Sequence, residues 1–117
     1  MKTQFFLIFF LLLISIILTA CTGSGSITPG KYQDFALCLS ENDVTMFGTE
    51  WCSHCKNQKA LFGNDFAFVD YVDCERNRDE CLRNGVTGYP TWKINSQYYS
   101  GEQPLERLAS LSGCSLE

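Results

Sequence analysis

Cys52 and Cys55, three positions apart within Met46–Lys59 (MFGTEWCSHCKNQK), constrain this chain more than any other feature. An apolar run leads into the pair and a helix-forming stretch follows it. Residues three apart on the first turn of a helix share one face. Two thiols so placed suit a disulfide that opens and closes, and the spacing predicts thiol–disulfide chemistry on a strand–loop–helix unit. Taken alone, the pair also fits half of a zinc site or a fixed staple.

The rest of the chain narrows that choice. Seven cysteines in 117 residues point to an oxidising compartment or to a metal site. Lys2 is the only charge before the run Phe5–Leu18 (FFLIFFLLLISIIL). This run is shorter than the roughly twenty apolar residues that span a bilayer, and it fits the apolar region of a signal peptide. Leu18-Thr19-Ala20-Cys21 resembles a bacterial lipobox, which implies cleavage before Cys21 and a lipid on that cysteine. An ordinary cleaved signal and an uncleaved anchor are the alternatives. Each places the domain outside the cytoplasm, and lipidation or an uncleaved anchor would hold it at a membrane as a periplasmic or cell-surface protein. Residues 1–21 are then a signal peptide, the Gly- and Ser-rich 22–30 a flexible tether, and 31–117 the folded domain. Cys38, Cys52, Cys55, Cys74, Cys81 and Cys114 remain, an even number that suits a secreted, disulfide-bonded domain. With 45% apolar and 14% aromatic residues the chain can build a core. Its net charge of −4, with no basic run, argues against a nucleic-acid partner.

Between Lys31 and Asn42, Tyr32, Phe35, Ala36 and Leu39 form the stripe of a short amphipathic helix. Val44–Phe47 reads as a buried strand ended by Gly48, and the helix carrying the cysteine pair should run to about Phe62. Phe66–Val72 (FAFVDYV) reads as a second strand. Asp79–Asn84 is a short helix stopped by Gly85. Thr91–Ile94 and Gln97–Ser100 are strands of a hairpin that turns at Asn95-Ser96. Pro104 opens a last helix that Gly113 ends. The order is helix, β, α, β, α, β, β, α. A β-α-β start requires a parallel pair, and the hairpin adds antiparallel strands, giving a mixed sheet with helices on its faces.

Trp51-Cys52-x-x-Cys55 after the first strand, with Tyr89-Pro90-Thr91 opening the third, resembles a thioredoxin-fold protein. The resemblance implies an α/β thioredoxin-like fold: a β-α-β-α-β-β-α core, a four-stranded mixed sheet and an extra N-terminal helix. It also implies a cis peptide bond before Pro90, close to the cysteine pair, with Tyr89, Pro90 and Thr91 offering backbone groups to a substrate strand. WCSHCKNQKALFG, YVDCE, GVTGYPTWKIN, YSGEQPLERLA and SGC together resemble the thioredoxin-like domain associated with bacterial and plant relatives of vitamin K epoxide reductase. That likeness implies a quinone-linked membrane partner, expected on a separate polypeptide, beside protein thiol and disulfide substrates. No cofactor or bound metal is expected, and a monomer is.

Cys52 is the expected attacking thiol, at a helix N-terminus where unpaired N–H groups and the helix dipole favour the thiolate. Cys55 then resolves the mixed disulfide. Ser53 and His54 lie between them, and a protonated His54 would stabilise the Cys52 thiolate. That shifts the pair towards oxidising or isomerase-like potentials, above about −230 mV. Trp51 is expected to pack over the site. Met46 stands where many thioredoxins carry a buried Asp, a departure that argues against an efficient general reductase. Cys74 and Cys81 flank a short loop and suit a local disulfide. Cys38 and Cys114, in the first and last helices, suit a bridge between the chain ends; for all four cysteines a pair of free thiols, or a second redox pair relaying electrons from Cys52 and Cys55, is the alternative. Two other functions compete: a Cys-rich zinc or copper protein, using Cys52, Cys55, Cys74 and Cys81 as ligands, and a non-catalytic binding module on a thioredoxin scaffold.

Overall fold

A computed structural model describes residues 28–117 and the single position Gln4. Apart from Gln4, the expected signal peptide, its lipobox Cys21 and the tether as far as residue 27 lie outside the described residues. Among the described residues no helix is long and apolar enough to cross a membrane.

The elements are α1 (Gln33–Glu41), β1 (Thr45–Gly48), α2 (Ser53–Phe62), a 3-10 helix (Gly63–Phe68), β2 (Asp70–Asp73), α3 (Arg78–Arg83), β3 (Thr91–Ile94), β4 (Gln97–Ser100) and α4 (Leu105–Ser112). The sheet order is β2-β1-β3-β4. β1 runs parallel to β2, with Met46 opposite Tyr71, and antiparallel to β3, with Met46 opposite Trp92. β3 and β4 form the expected hairpin. Asn95 and Ser96 both take positive φ, 49° and 64°, the backbone of a tight turn whose twist matches the strands it joins. This is the thioredoxin-like α/β architecture.

Strand alternation sorts the core into two clusters. Met46, Trp92 and Ile94 point into the larger one, which α1, α2 and α4 complete with Phe35, Leu39, Phe62 and Leu108. Phe47, the next residue along β1, joins Val86 and the Cys74–Cys81 disulfide in the smaller cluster beside α3. A second disulfide, Cys38–Cys114, fastens α1 to the chain after α4. Gly113 closes α4 in the left-handed conformation, φ 77°, and its N–H returns to the Ala109 carbonyl.

One expected element is corrected. Phe66–Phe68 belongs to the 3-10 helix, and the strand begins only at Asp70. The reason is Asp65, whose buried carboxylate accepts the N–H groups of Gly30 at 3.1 Å and Tyr32 at 2.8 Å. A buried carboxylate is tolerated only when it is hydrogen-bonded. Satisfying it holds this segment against the start of the domain, and the Ser40 hydroxyl donates to the Phe68 carbonyl alongside. The aromatic alternation of FAFVDYV is fulfilled by core packing: Phe66 stacks edge-on against Phe62 and Tyr71.

Candidate functional site

Buried β1 delivers the chain to Thr49-Glu50-Trp51, and Cys52 is the N-cap of α2. Its sulfur accepts the Cys55 backbone N–H at 3.1 Å, replacing the Ser or Asp oxygen that usually fills this role. Both cysteines are free thiols. Cys52 keeps 7% of its surface exposed and Cys55 none. A bulky reagent therefore meets Cys52 first. Burial pushes the Cys55 thiol up to about 12, and its hydrogen bond with Cys52 adds to the shift.

His54 is exposed on the first turn of α2, with Nδ1 2.6 Å from Glu102 Oε1, and Asn57 donates to the same oxygen at 3.2 Å. The bond from His54 and then that from Asn57 hold the Glu102 carboxyl below the usual carboxylate range. Ser53 is exposed beside it. Trp51 is 64% exposed, meets Tyr89 edge-on with centroids 6.2 Å apart, and donates from its indole to Glu75 at 2.8 Å. The Tyr89–Pro90 peptide bond is cis and Pro90 is fully buried. The Pro90 carbonyl already accepts the Gly101 N–H, and the Thr91 hydroxyl donates to the Gly88 carbonyl, both at 2.8 Å. Tyr89 carries no backbone hydrogen bond among the described residues. A groove lined by Thr49, Trp51, Leu82, Val86, Tyr89 and the Cys74–Cys81 disulfide opens next to these residues. Cys74 and Cys81 are bonded to one another, so the rival four-thiolate set of Cys52, Cys55, Cys74 and Cys81 is not assembled.

Several residues at the site carry no motif. Gln58, fully buried one turn beyond Cys55, accepts from the Trp92 indole at 3.1 Å and the Gln103 N–H at 2.6 Å, and donates to the Gln103 carbonyl at 3.0 Å. It ties α2 to β3 and to the loop before α4. A polar residue on the inner face of a helix was the available signal. Lys59 bonds Glu50 at 2.9 Å and lies 3.9 Å from the centroid of the Tyr71 ring. The hydroxyls of Thr49 and Tyr71 are buried with no partner, an uncommon condition for groups that cost free energy when left unpaired.

No protein-family profile matches the chain. Among curated proteins it is 38% identical over 88 residues to thiol-disulfide oxidoreductase LTO1 of Arabidopsis thaliana, an alignment spanning 68% of this chain and 23% of that protein. It is 31% identical over 88 residues to protein disulfide-isomerase 1 of Dictyostelium discoideum, spanning 66% and 24%. It is 29% identical over 116 residues to protein disulfide-isomerase tigA of Aspergillus niger, spanning 80% and 32%. The chain thus spans less than a third of the length of these relatives. Among solved structures, Fasciola hepatica thioredoxin is 22% identical with a TM-score of 0.45, covering 66% of this chain and 88% of its own. The first thioredoxin domain of mouse protein disulfide-isomerase A4 is 20% identical with a TM-score of 0.45, covering 82% and 85%. The chain is a thioredoxin-fold protein with thiol–disulfide oxidoreductases and protein disulfide-isomerases among its homologues.

Proposed function

We propose that the chain is an extracytoplasmic, membrane-tethered thiol–disulfide oxidoreductase that exchanges disulfides with protein substrates and works as an oxidant or isomerase. The observation that carries this reading is the Cys52 sulfur at the N-cap of α2, accepting the Cys55 N–H and keeping the pair's only exposed surface. In the oxidising direction a substrate thiolate attacks the Cys52–Cys55 disulfide at Cys52, and Cys55 departs with the electron pair. A second substrate thiol then displaces Cys52, leaving a substrate disulfide and a reduced pair. In the reverse direction Cys52 attacks and Cys55 resolves.

The backbone of Tyr89 is the group of the Tyr89-Pro90-Thr91 motif left for a substrate strand, because the Pro90 carbonyl accepts the Gly101 N–H and Thr91 is paired within the sheet with Phe47 and Ser100. Trp51, Leu82 and Val86 offer an apolar bed to a side chain flanking the substrate cysteine. His54, exposed on the first turn of α2 between the two cysteines, supplies positive charge when protonated and favours the reduced form. Two structural disulfides suit an oxidising compartment, and the run Phe5–Leu18 followed by Cys21 supports export and lipid tethering. The likeness of WCSHCKNQKALFG and GVTGYPTWKIN to domains that serve vitamin K epoxide reductase relatives supports a quinone-linked membrane protein as redox partner.

The test is exchange with a reduced or scrambled protein substrate. Cys52→Ser should abolish it, and Cys55→Ser should accumulate the mixed disulfide on Cys52. Undiminished exchange by Cys52→Ser would refute the assignment.

A further inference from the structure

When Cys55 resolves a mixed disulfide it must act as a thiolate, yet it is fully buried, and burial pushes its thiol up to about 12. A backbone hydrogen bond from Thr49 and the charge of Lys59 favour the thiolate but do not offset the burial, so a further donor at this depth would ease the step. Gly48, the last residue of β1, marks where it stands. A Cβ there would lie 2.9 Å from the Cys55 sulfur, 3.2 Å from Tyr71 Cε2 and 3.4 Å from the Tyr71 hydroxyl oxygen. Thiol and phenol thus flank one small space that only a glycine leaves open. The phenol hydroxyl is buried there without a partner. The other unpartnered hydroxyl is on Thr49, which already reaches the Cys55 sulfur through its backbone and also lines the outer groove with Trp51.

We propose that the Tyr71 hydroxyl is the hydrogen-bond donor to the Cys55 thiolate during resolution, with the Lys59 ammonium over its ring holding it in place. This rests on the exchange activity proposed above. In the step, Cys55 Sγ attacks Cys52 Sγ and the Cys52–Cys55 bond forms. The bond between Cys52 and the substrate sulfur breaks, and that sulfur leaves with the electron pair and takes up the proton that left Cys55. Tyr71 keeps its own proton throughout. Burial first, then the nearby Glu50 and Asp73 carboxylates and the two cysteines, raise its hydroxyl above the ordinary phenol range. It stays a neutral donor while Cys55 ionises. Lys59 acts in the same sense, since its charge favours the Cys55 thiolate.

The test is the titration of Cys55 in a Cys52→Ser background, followed by NMR of labelled cysteine, with and without Tyr71→Phe. That change keeps the ring and removes a hydroxyl with no partner, so the fold is retained. The expected result is a midpoint higher by about one unit, hence about tenfold less thiolate at a given pH. In the chain with both cysteines, Tyr71→Phe should slow resolution of a preformed mixed disulfide several-fold and leave the first attack by Cys52 unchanged. An unchanged midpoint and resolution rate, with exchange intact, would overturn this inference alone. A wild-type chain that never forms a mixed disulfide would overturn it together with the proposed activity.

Discussion

Gly48 and His54 carry sharply different duties around the same sulfur pair. At Gly48 the backbone is unstrained and the constraint is space, because an added Cβ would stand 2.9 Å from Cys55 Sγ. Gly48→Ala should therefore cost about 1–3 kcal/mol, the usual penalty for overpacking a core. It should also slow resolution more than first attack, read by denaturant unfolding and stopped-flow exchange. At His54 the constraint is charge. The side chain is exposed and paired with Glu102, so its influence on Cys52 is screened by solvent. His54→Ala should lower the potential of the pair by about 10–30 mV, the equivalent of a partly screened charge interaction. A glutathione titration of the two proteins side by side gives that difference. The placement of Cys52 and His54 on the first turn of one helix is legible in sequence because spacing alone joins them. The pairing of Tyr71 with Cys55 is not, because it passes through the β1–β2 register and the empty side of Gly48.

The elements are held by a few long-range ties that explain both what was readable and what was not. Asn95-Ser96, Gly113 and Pro104 are local punctuation, and the hairpin and last helix fall where they direct. The 3-10 helix at Gly63–Phe68 hides from such reading, since Asp65 finds its donors on Gly30 and Tyr32, more than thirty residues earlier. Asp65→Ala should cost roughly 1.5–3 kcal/mol, as expected for hydrogen bonds to a charged acceptor. Amide exchange should report it as loosened protection at the start of α1. The disulfides differ in the same long-range sense. Cys38–Cys114 closes a separation of 76 residues and Cys74–Cys81 one of 7. In the loop-entropy description the first contributes roughly 4 kcal/mol and the second roughly 2. Urea unfolding of Cys38→Ser/Cys114→Ser and of Cys74→Ser/Cys81→Ser should rank them in that order.

At the scale of the whole molecule the redox pair couples folding to pH. The Cys55 thiol is raised to about 12 in the folded dithiol form, whereas an unfolded cysteine titrates near 8.5. The unfolded chain therefore binds fewer protons between these values, and stability falls as pH rises through them. Below about pH 8 both states are protonated and this contribution is fully present. With Cys52 and Cys55 joined there is no thiol to titrate, so the oxidised form should lose less stability than the reduced form over this window, the share from the raised Tyr71 hydroxyl above about pH 10 being present in both. Thermal unfolding of both forms from pH 7 to 11 makes the comparison. All of this depends on Cys52 and Cys55 forming a reversible, oxidising pair. Equilibration of the protein with glutathione buffers of graded ratio, followed by acid trapping and mass analysis of the two thiols, tests it most directly. The expected result is a single two-electron transition with a midpoint above about −230 mV, lost in Cys52→Ser. A pair that stays locked in one state across the series would contradict the exchange, and a midpoint near the thioredoxin value of about −270 mV would contradict its oxidising character.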